Sequence, residues 1–581
     1  MGKIISAVLL TLAALFACGA YSADAREFAP VWSPYAKAPH NHYPLPCRYM
    51  WDGGRGHTRA GMLQPPSLPT KALVILAEFN DERFFYNSTV FQKMLLEKGY
   101  SAEGATGCAQ QYFQEQLGND FTITVAGIVR VQNDRHYYGE NSKTRKDIHA
   151  GEFVAEACLL AAAEPYNVNF SDFDQDGDGF VDNVFVFYAG EDEALQPEGK
   201  NEDYIWAHCG SLSGGDYGKV LEIGKVKIDG YACASELFIT TTGKSKMASI
   251  GTFCHEYAHS IGLMDMYDTD YELSGGTSAG LWRHTCLMDA GNYNNEGNTP
   301  PNFNAIERER LGLLIPKELT PGSYTVQPIG TKGAATFKVT NPADSTDYFL
   351  FEARCAKEGS WDNFIGGSGL LVYHIDKSGT RKMASETYQK DLSPLERWNV
   401  YNEINCRPDH QCADLIEADG RSDKDPANAA FNDISGIFFP SGTASAIGHD
   451  ANIKLSFWDG TQSTVTLSAI SLKNDGSVTF SVSDAASPLP PEPTEPLKDE
   501  DPLYIIVQYN ASVSGAVVTK GTVMEMKVSN SVGATLIEWF FDGTAIADPK
   551  AFTATATGEI SAIITYAGGA KDCITKRITV R

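Results

Sequence analysis

The chain has no long apolar run beyond its first residues, and it is poor in basic residues. A membrane-spanning helix needs about 18 or more consecutive apolar residues, and no segment after the N-terminal run approaches that length. Lys and Arg total 47 against 73 Asp and Glu, which gives a formal charge of -26. Such a charge repels phosphate backbones and anionic membranes and attracts cations such as calcium. We therefore expect a chain with no nucleic-acid partner and no transmembrane segment.

The N-terminus is the exception to this lack of apolar runs. Met1-Gly2-Lys3 is followed by an apolar run over 4–17 and by small residues over 20–23, which is the order of a secretory signal peptide. We predict a signal peptide at residues 1–23 and a secreted or cell-surface bacterial protein. Cys18 lies in a sequence that loosely resembles a lipoprotein cleavage site, so lipid anchoring through Cys18 is an alternative to plain secretion.

The 12 cysteines cannot all form disulfides in a mature chain. Removal of the signal peptide takes away Cys18 and leaves an odd number, although export permits disulfide formation. We expect at least one unpaired thiol, and Cys406 and Cys412 are the closest candidate pair.

At 581 residues the chain is too long for one hydrophobic core, since single domains usually stop at about 250 to 300 residues. Short apolar runs at 72–79 and 184–188 are typical of strands buried on both faces. A helix-forming segment lies between them, so this part of the chain is predicted to be mixed α/β. Alternating strand-like runs follow, and then a stretch over 485–502 with six prolines, which is typical of an extended linker. We predict an N-terminal arm or short pro-segment (24–65), an α/β domain (66–316), a β-sandwich domain (317–485), a Pro-rich linker (486–502) and a small immunoglobulin-like β domain (503–581).

The most specific pattern is an HExxH sequence at 255–259, in a proline-free segment that favours a helix. Residues four apart lie on one face of a helix, so His255 and His259 can both direct an imidazole nitrogen to one zinc ion about 2 Å away. Glu256 is adjacent and can take a proton from the attacking water and return it to the leaving amine. We predict His255 and His259 as zinc ligands and Glu256 as the general base of peptide hydrolysis.

Two histidines leave a catalytic zinc ion one protein ligand short. Gly262 offers a turn after the helix, which could bring the carboxylate of Asp265 back to the metal. We predict Asp265 as the third zinc ligand. Asp268, Asp270 or a more distant Glu are the alternatives, since an Asp after a helix is often only a turn former.

Met288 and Tyr293, which follow the motif in the chain, are further candidates for the same site. Met288 lies 29 residues after His259 and is predicted to sit in a turn beneath the zinc, as support and not as a ligand. A buried Met is otherwise an ordinary core residue. Tyr293 follows this turn, and we predict it as a second catalytic residue that donates its hydroxyl to the oxyanion of the tetrahedral intermediate.

An acidic segment at 174–182 matches the first nine positions of an EF-hand-type calcium loop, with Gly at position 6. The usual Glu at position 12 is absent, because Phe185 stands there. A solvated acidic turn is the alternative, but carboxylates this close repel one another without a cation. We predict a structural calcium ion held by the side chains or carbonyl of Asp174, Asp176, Asp178, Phe180 and Asp182.

With these residues in view, the chain resembles the immune inhibitor A-like (M6) metallopeptidases, whose HExxHxxGxxD motif is present in full at 255–265. The resemblance covers roughly residues 66 to 485. It continues through 172–190, 287–289, 299–301, 348–352 and 369–376.

The resemblance implies a secreted, calcium-stabilised zinc endopeptidase of metzincin-like zincin fold, with a β-sandwich behind its catalytic domain and a final module that looks like a PKD or immunoglobulin-like domain. Met264 departs from the family pattern, in which Pro commonly precedes the Asp. The arm is also shorter than the family's propeptides. Cys47 in the arm is a candidate thiolate cap on the zinc, the alternative being an ordinary or disulfide-bonded cysteine.

Two other function classes remain open on the residues alone. An inactive peptidase-like surface adhesin or glycan-binding protein would suit the two β-rich regions, but the intact HExxH residues argue against it. A metal-dependent glycosidase or esterase ranks third, because the Gly262, Asp265 and Met288 context favours peptide hydrolysis. We therefore expect protein or peptide substrates, with surface or glycan contacts through the C-terminal β domains as a secondary expectation.

Overall fold

A computed structural model describes residues 68–143, 146–196, 200–240, 243–271, 273–276, 278, 280–423, 434–485, 505–510, 513–514, 517–529, 534–566 and 571–580. The predicted signal peptide, N-terminal arm and Pro-rich linker, with Cys18 and Cys47, lie outside these residues. The chain divides into two compact units, Met1–Ala486 and Ser487–Arg581. Within the described ranges, no helix has the length and apolar character to cross a membrane.

In its described residues the first unit contains strands, α-helices, short 3-10 helices and the π-helical turn Arg397–Tyr401. Its α-helices are α1 (Ser88–Leu96), α2 (Ala109–Leu117), α3 (Arg135–Tyr138), α4 (Ala150–Ala162), α5 (Ile250–Ser260), α6 (Ala305–Arg310) and α7 (Pro394–Glu396). Its strands are β1 (Lys71–Glu78), β2 (Thr122–Arg130), β3 (Val184–Glu191), β4 (His208–Ser211), β5 (Leu221–Ile223), β6 (Val226–Ile228), β7 (Gly230–Ile239), β8 (Ser245–Met247), β9 (Lys317–Glu318), β10 (Gly322–Val326), β11 (Phe337–Asn341), β12 (Asp344–Cys355), β13 (Ser368–Asp376), β14 (Met383–Ser385), β15 (Lys390–Leu392), β16 (Ala413–Leu415), β17 (Ile447–Gly448), β18 (Val465–Leu472) and β19 (Val478–Asp484).

A six-stranded mixed sheet lies in the N-terminal half of this unit. Its order is β2-β1-β3-β7-β4, with β8 paired to β7. The first four strands run parallel, and β4 and β8 run antiparallel to β7. The apolar runs predicted as strands buried on both faces are β1 and β3, and nearly every residue of each is buried. This prediction is confirmed.

Helices cover both faces of that sheet because alternate residues of a strand point to opposite sides. Val74 and Leu76 of β1 join a core with α1, α2 and α5. Leu73 and Ile75 join a second core with α4. Helix α5, which carries the HExxH sequence, therefore lies on the same face as α1 and α2.

The β-rich residues after 316 share a core with the residues before them. The five-stranded sheet β16-β13-β12-β11-β9 turns Tyr348 and Leu350 of β12 toward the core that contains α5. Phe349 and Phe351, on the other face of β12, pack in a core with the four-stranded sheet β10-β19-β18-β17. The boundary predicted at 316/317 thus separates two kinds of secondary structure inside one compact unit. The β-sandwich description itself stays a prediction.

The second unit consists of strands in the described residues. They are β20 (Ile505–Asn510), β21 (Val513–Ser514), β22 (Val517–Val518), β23 (Val523–Val528), β24 (Ala534–Phe541), β25 (Thr544–Ala545), β26 (Phe552–Thr553), β27 (Gly558–Tyr566) and β28 (Lys571–Val580). They form one sheet of order β21-β20-β23-β26 and another of order β22-β28-β27-β24-β25. Side chains of both sheets share one hydrophobic core, in which Trp539 is a large member. The immunoglobulin-like or PKD identity of this unit stays a prediction.

Helix α5 packs so closely on the segment after Met288 that its first turn requires glycine. A Cβ atom at Gly251 would lie 1.8 Å from the carbonyl oxygen of Asn292, and the Gly251 N–H donates to the Gly297 carbonyl at 2.9 Å. We expect Gly251→Ala to destabilise the first unit by about 1–3 kcal/mol, the usual cost of overpacking a core. Thermal unfolding measures this, with Gly379→Ala as the control, because the nearest atom to a Cβ there is 3.6 Å away. Equal melting temperatures for the two variants would contradict the close packing.

Candidate metal centre

The HExxH residues lie on helix α5, which ends in a turn that only glycine forms easily. Gly262 has φ 102°, a backbone conformation that side chains disfavour. The Leu263 N–H donates to the Ala258 carbonyl at 3.1 Å, and the Gly262 N–H donates to the His259 carbonyl at 2.9 Å. These two bonds form a Schellman motif. The chain therefore reverses after His259 and leads Asp265 back toward the helix, with Met264 buried in the position where Pro is common.

Both histidines of the motif are buried and oriented by backbone carbonyls. His255 Nδ1 lies 2.9 Å from the Leu287 carbonyl oxygen, and His259 Nδ1 lies 2.9 Å from the Leu263 carbonyl oxygen. A carbonyl only accepts, so each Nδ1 carries the proton and donates. In the neutral form of each ring Nε2 then has a lone pair, which is the state in which a histidine binds a metal.

Asp265 Oδ1 meets those two nitrogens. It lies 3.2 Å from His255 Nε2 and 3.3 Å from His259 Nε2, and it has no hydrogen-bond partner although it is buried. Burial opposes ionisation, but the two imidazoles lower the pKa of Asp265 well below its usual range. Three possible ligand atoms thus lie within 4.8 Å of one another, and this arrangement fits a shared cation.

Glu256 is also buried. Its carboxylate does not belong to the group of ligand atoms formed by His255, His259 and Asp265. Burial raises the pKa of the Glu256 carboxyl to about 8. The His255 imidazole opposes this increase, whereas the carboxylates of Asp265 and Asp192 add to it. Asp192 follows the end of β3 and accepts from the Ala194 N–H at 2.8 Å.

The turn that contains Met288 contacts both ligand-bearing segments. Its Leu287 carbonyl accepts from His255, as described above, and the Met288 carbonyl accepts from the Met266 N–H at 2.8 Å. From the other side, Glu307 of α6 accepts from the Met288 N–H at 3.2 Å and from the Asn304 N–H at 2.7 Å. Met288 is fully buried, as expected of a supporting residue.

Three tyrosines lie around the metal centre. Burial raises the pKa of Tyr293, and the charges of Asp192 and Glu256 raise it further. Burial also raises the pKa values of Tyr267 and Tyr271, and the charge of Asp265 contributes to both increases. The structure therefore surrounds the site with more phenol groups than the one that the sequence singled out.

The alternative third ligands form a different cluster. Carboxylate oxygens of Asp268 and Asp270 and the sulfur of Cys406 lie within 4.8 Å of one another, all buried and separate from the His255 group. Thr269 Oγ1 lies 3.0 Å from Cys406 Sγ. Of the three aspartates considered, the structure brings Asp265 to the histidines.

The pairing suggested for Cys406 and Cys412 is wrong. Both are buried free thiols, and no disulfide joins any of the ten cysteines among the described residues. Cys406 Sγ lies 3.0 Å from Thr269 Oγ1. The Cys412 N–H donates to the Ile404 carbonyl at 3.0 Å.

The predicted calcium loop is brought together only in part. Carboxylate oxygens of Asp174, Asp176 and Asp178 lie within 4.8 Å of one another. Asp182 stands apart from that group, because its Oδ2 accepts from the Gln175 N–H at 2.8 Å and from the Gln175 side chain at 3.1 Å. Phe180 forms a β-bridge with Lys227, which ties the loop to β6.

Comparison with known proteins assigns the class of this site. Residues 70–313 match the family model described as "Immune inhibitor A peptidase M6, catalytic domain", so this segment is similar to the catalytic domain of a metallopeptidase family. The matched family is the one that the motif at 255–265 resembles.

Two kinds of curated relative are similar to part of the chain. The pre-pro-metalloprotease PrtV of Vibrio cholerae serotype O1 is 30% identical over 247 residues, which are 39% of this chain and 26% of the relative. Immune inhibitor A of Bacillus thuringiensis subsp. alesti is 26% identical over 280 residues, which are 41% of this chain and 39% of the relative. The chain thus matches about a quarter to two fifths of the length of these relatives.

Proposed function

We propose that the protein is a zinc-dependent endopeptidase that hydrolyses peptide bonds of proteins. The observation that carries this proposal is the convergence of His255, His259 and Asp265 inside the segment that matches the M6 family. Two imidazole nitrogens and one carboxylate suit zinc, and three protein ligands leave one position open for catalysis. A bound zinc ion supplies Lewis-acid chemistry, polarising a carbonyl oxygen and acidifying water.

In this proposal Glu256 is the general base. Its carboxylate lies one residue from His255 on α5 and is not needed as a ligand, so it is available to the attacking water. It takes the proton of that water and then delivers it to the amine nitrogen of the leaving product. The burial of Glu256 limits the access of bulk water to this carboxylate.

Tyr293 is the proposed oxyanion donor, supported by its electrostatic coupling to Glu256. Loss of one such donor usually costs about 10²–10³ in kcat, and we expect a fall of that size for Tyr293→Phe with little change in KM. Steady-state hydrolysis of a fluorogenic peptide measures both constants. Tyr267→Phe is the matched control, since the charge of Glu256 acts on Tyr267 as it does on Tyr293. Full turnover by Tyr293→Phe would remove this residue from the mechanism.

A structural calcium ion is proposed for the loop at 174–182. Its support is the close approach of the Asp174, Asp176 and Asp178 carboxylates, completed in this proposal by the Phe180 carbonyl and by Asp182 directly or through water.

With zinc saturating, calcium at about 100 times its Kd should stabilise the first unit by about 2.7 kcal/mol, because it binds only the folded loop. Thermal melting with added Ca²⁺ tests this, and the double variant Asp176→Asn/Asp178→Asn should lose the response. Magnesium is the control ion, since it demands a smaller octahedral site. An identical response in wild type and double variant would argue for a solvated acidic turn.

Export is proposed from the N-terminal sequence. The signal-peptide pattern over 1–23 supports secretion or a cell-surface location, with lipid anchoring through Cys18 as the alternative. Surface or glycan contacts through the β-rich regions remain a secondary proposal. An inactive adhesin is the rival function, and the complete ligand set argues against it.

The function is tested with the purified mature chain, zinc-loaded, on unfolded casein. We expect peptide release and one bound zinc ion, with release abolished by a zinc chelator and restored by added zinc. A protein that binds zinc and releases nothing, even after limited proteolysis of its N-terminal arm, would contradict the peptidase proposal. A protein that binds no zinc would favour the adhesin.

A further inference from the structure

Asn402 makes a pair of hydrogen bonds with Asp265, 137 residues away along the chain. Its Nδ2 donates to Asp265 Oδ2 at 2.6 Å, and its Oδ1 accepts from the Asp265 N–H at 2.8 Å. The Asn402 side chain is buried. These bonds hold both the backbone and the carboxylate of Asp265, and they occupy Oδ2 while Oδ1 stays directed at His255 and His259.

The backbone of Asn402 has a conformation that suits this role. It follows the π-helical turn Arg397–Tyr401 with φ 52° and ψ 42°, in the left-handed region. Asn adopts this region more readily than other residues that carry a side chain, apart from Asp. The Asn402 carbonyl accepts from Thr269 Oγ1 at 2.7 Å, so it is also tied to the segment that follows Asp265.

The neighbours of Asn402 are anchored to the β-rich part of the unit. Arg397 forms a buried ion pair with Glu403 at 2.9 Å and donates to the Ala384 carbonyl of β14 at 2.8 Å. Trp398 Nε1 donates to the Asp376 carbonyl of β13 at 2.7 Å. The amide of Asn402 therefore approaches Asp265 from a rigid support.

We propose that Asn402 is a positioning residue that fixes Asp265 as the third metal ligand, so that the β-rich residues beyond 313 complete the metal centre. This inference rests on the proposed function, since it needs a metal bound by Asp265. A hydrogen bond to a ligating carboxylate orients it, and loss of such a partner typically costs about 10–100-fold in metal affinity or activity.

Two variants distinguish the effect of the Asn402 side-chain amide from the effect of its backbone conformation. Asn402→Gly keeps the left-handed conformation without strain and removes only the side chain. Asn402→Asp keeps the shape and an acceptor for the Asp265 N–H, but it replaces the donor to Oδ2 with a carboxylate. Gln411→Ala is the matched control: Gln411 is a buried amide of the same segment that donates to Ser278 Oγ at 3.0 Å and touches none of the three ligands.

The readout is the zinc Kd, measured with the full chain by competition with a chromogenic chelator. The absorption spectrum of the Co²⁺-substituted protein provides a second readout, because it reports the geometry of the ligand set. We expect both Asn402 variants to bind zinc about 10–100-fold more weakly than wild type and to change the Co²⁺ spectrum. Gln411→Ala should keep the wild-type Kd and spectrum.

The outcomes are distinguishable. Tight zinc binding by wild type with the same Kd and spectrum in both Asn402 variants would overturn the positioning role and leave the proposed function intact. An equal loss of affinity in Gln411→Ala would also overturn it, because the effect would then be general loosening of the segment. Absence of zinc binding by wild type would overturn both proposals.

Discussion

Glu256→Gln is expected to lower kcat/KM by about 10²–10⁴-fold, the usual contribution of a positioned general base, while the protein keeps its zinc. The amide has the shape of the carboxyl but cannot accept the proton of the attacking water. Glu256 does not belong to the group of possible ligands formed by His255, His259 and Asp265, so the zinc affinity should stay at the wild-type value. Peptidase assays and zinc analysis of the same sample measure the two quantities.

Glu236→Gln is the control for loss of a buried negative charge. Glu236 lies in β7, is fully buried, and accepts from the Tyr86 N–H at 2.7 Å. Its amide variant is expected to be less stable but to retain the peptidase rate of the folded protein. Activity of Glu256→Gln within about tenfold of wild type would assign proton transfer to another group. Loss of zinc together with activity would show that Glu256 has a structural role instead.

Arg354→Met is expected to destabilise the first unit by about 3–5 kcal/mol, because it leaves two buried carboxylates without a counter-charge. Arg354 is fully buried and binds Asp362 through two bonds of 2.8 and 2.7 Å and Glu352 through one of 3.2 Å. It also donates to the carbonyls of Thr285 and Asn302. The network therefore joins β12 to the segments before and after the Met288 turn.

Urea unfolding followed by circular dichroism measures this loss, with Arg130→Met as the control. Arg130 lies on the edge strand β2 and pairs with Glu78 at 3.0 Å with its own side chain 56% exposed. An exposed pair contributes only about 0–1 kcal/mol, so the control should unfold close to wild type. Equal unfolding midpoints for the two variants would mean that the buried network contributes nothing beyond a surface pair.

The local features of the site were accessible from the sequence because they depend on residues a few positions apart. The i, i+4 spacing of His255 and His259 needs only a helix, which the structure provides as α5. Gly262 permits the reversal that returns Asp265. The metallopeptidase class predicted from these residues is supported by the family match over 70–313. The individual roles of Glu256 and Tyr293 stay proposals.

The calcium loop shows where local reasoning stops being sufficient. The EF-hand-type spacing predicts five ligands, and three carboxylates do lie together. Asp182 Oδ2 accepts hydrogen bonds from Gln175, a contact that depends on the fold of the loop, and its role as a calcium ligand stays a prediction. The predicted disulfide between Cys406 and Cys412 is wrong for a related reason. Closeness in sequence does not by itself place two sulfur atoms in bonding geometry.

The sequence by itself predicted the helix that carries the motif and the buried strands β1 and β3, and it indicated a metallopeptidase-like site. Helical spacing, a glycine turn and apolar runs are local properties. Only the tertiary structure decided that residues on both sides of 316 share one core, that Glu307 supports the Met288 turn, and that Asn402 reaches Asp265. These contacts join residues far apart in the chain, and nothing in the residue types near either partner encodes the distance between them. The motif at 255–265 is 11 residues long. The candidate metal centre also depends on contacts from residues far outside it, such as Glu307 and Asn402.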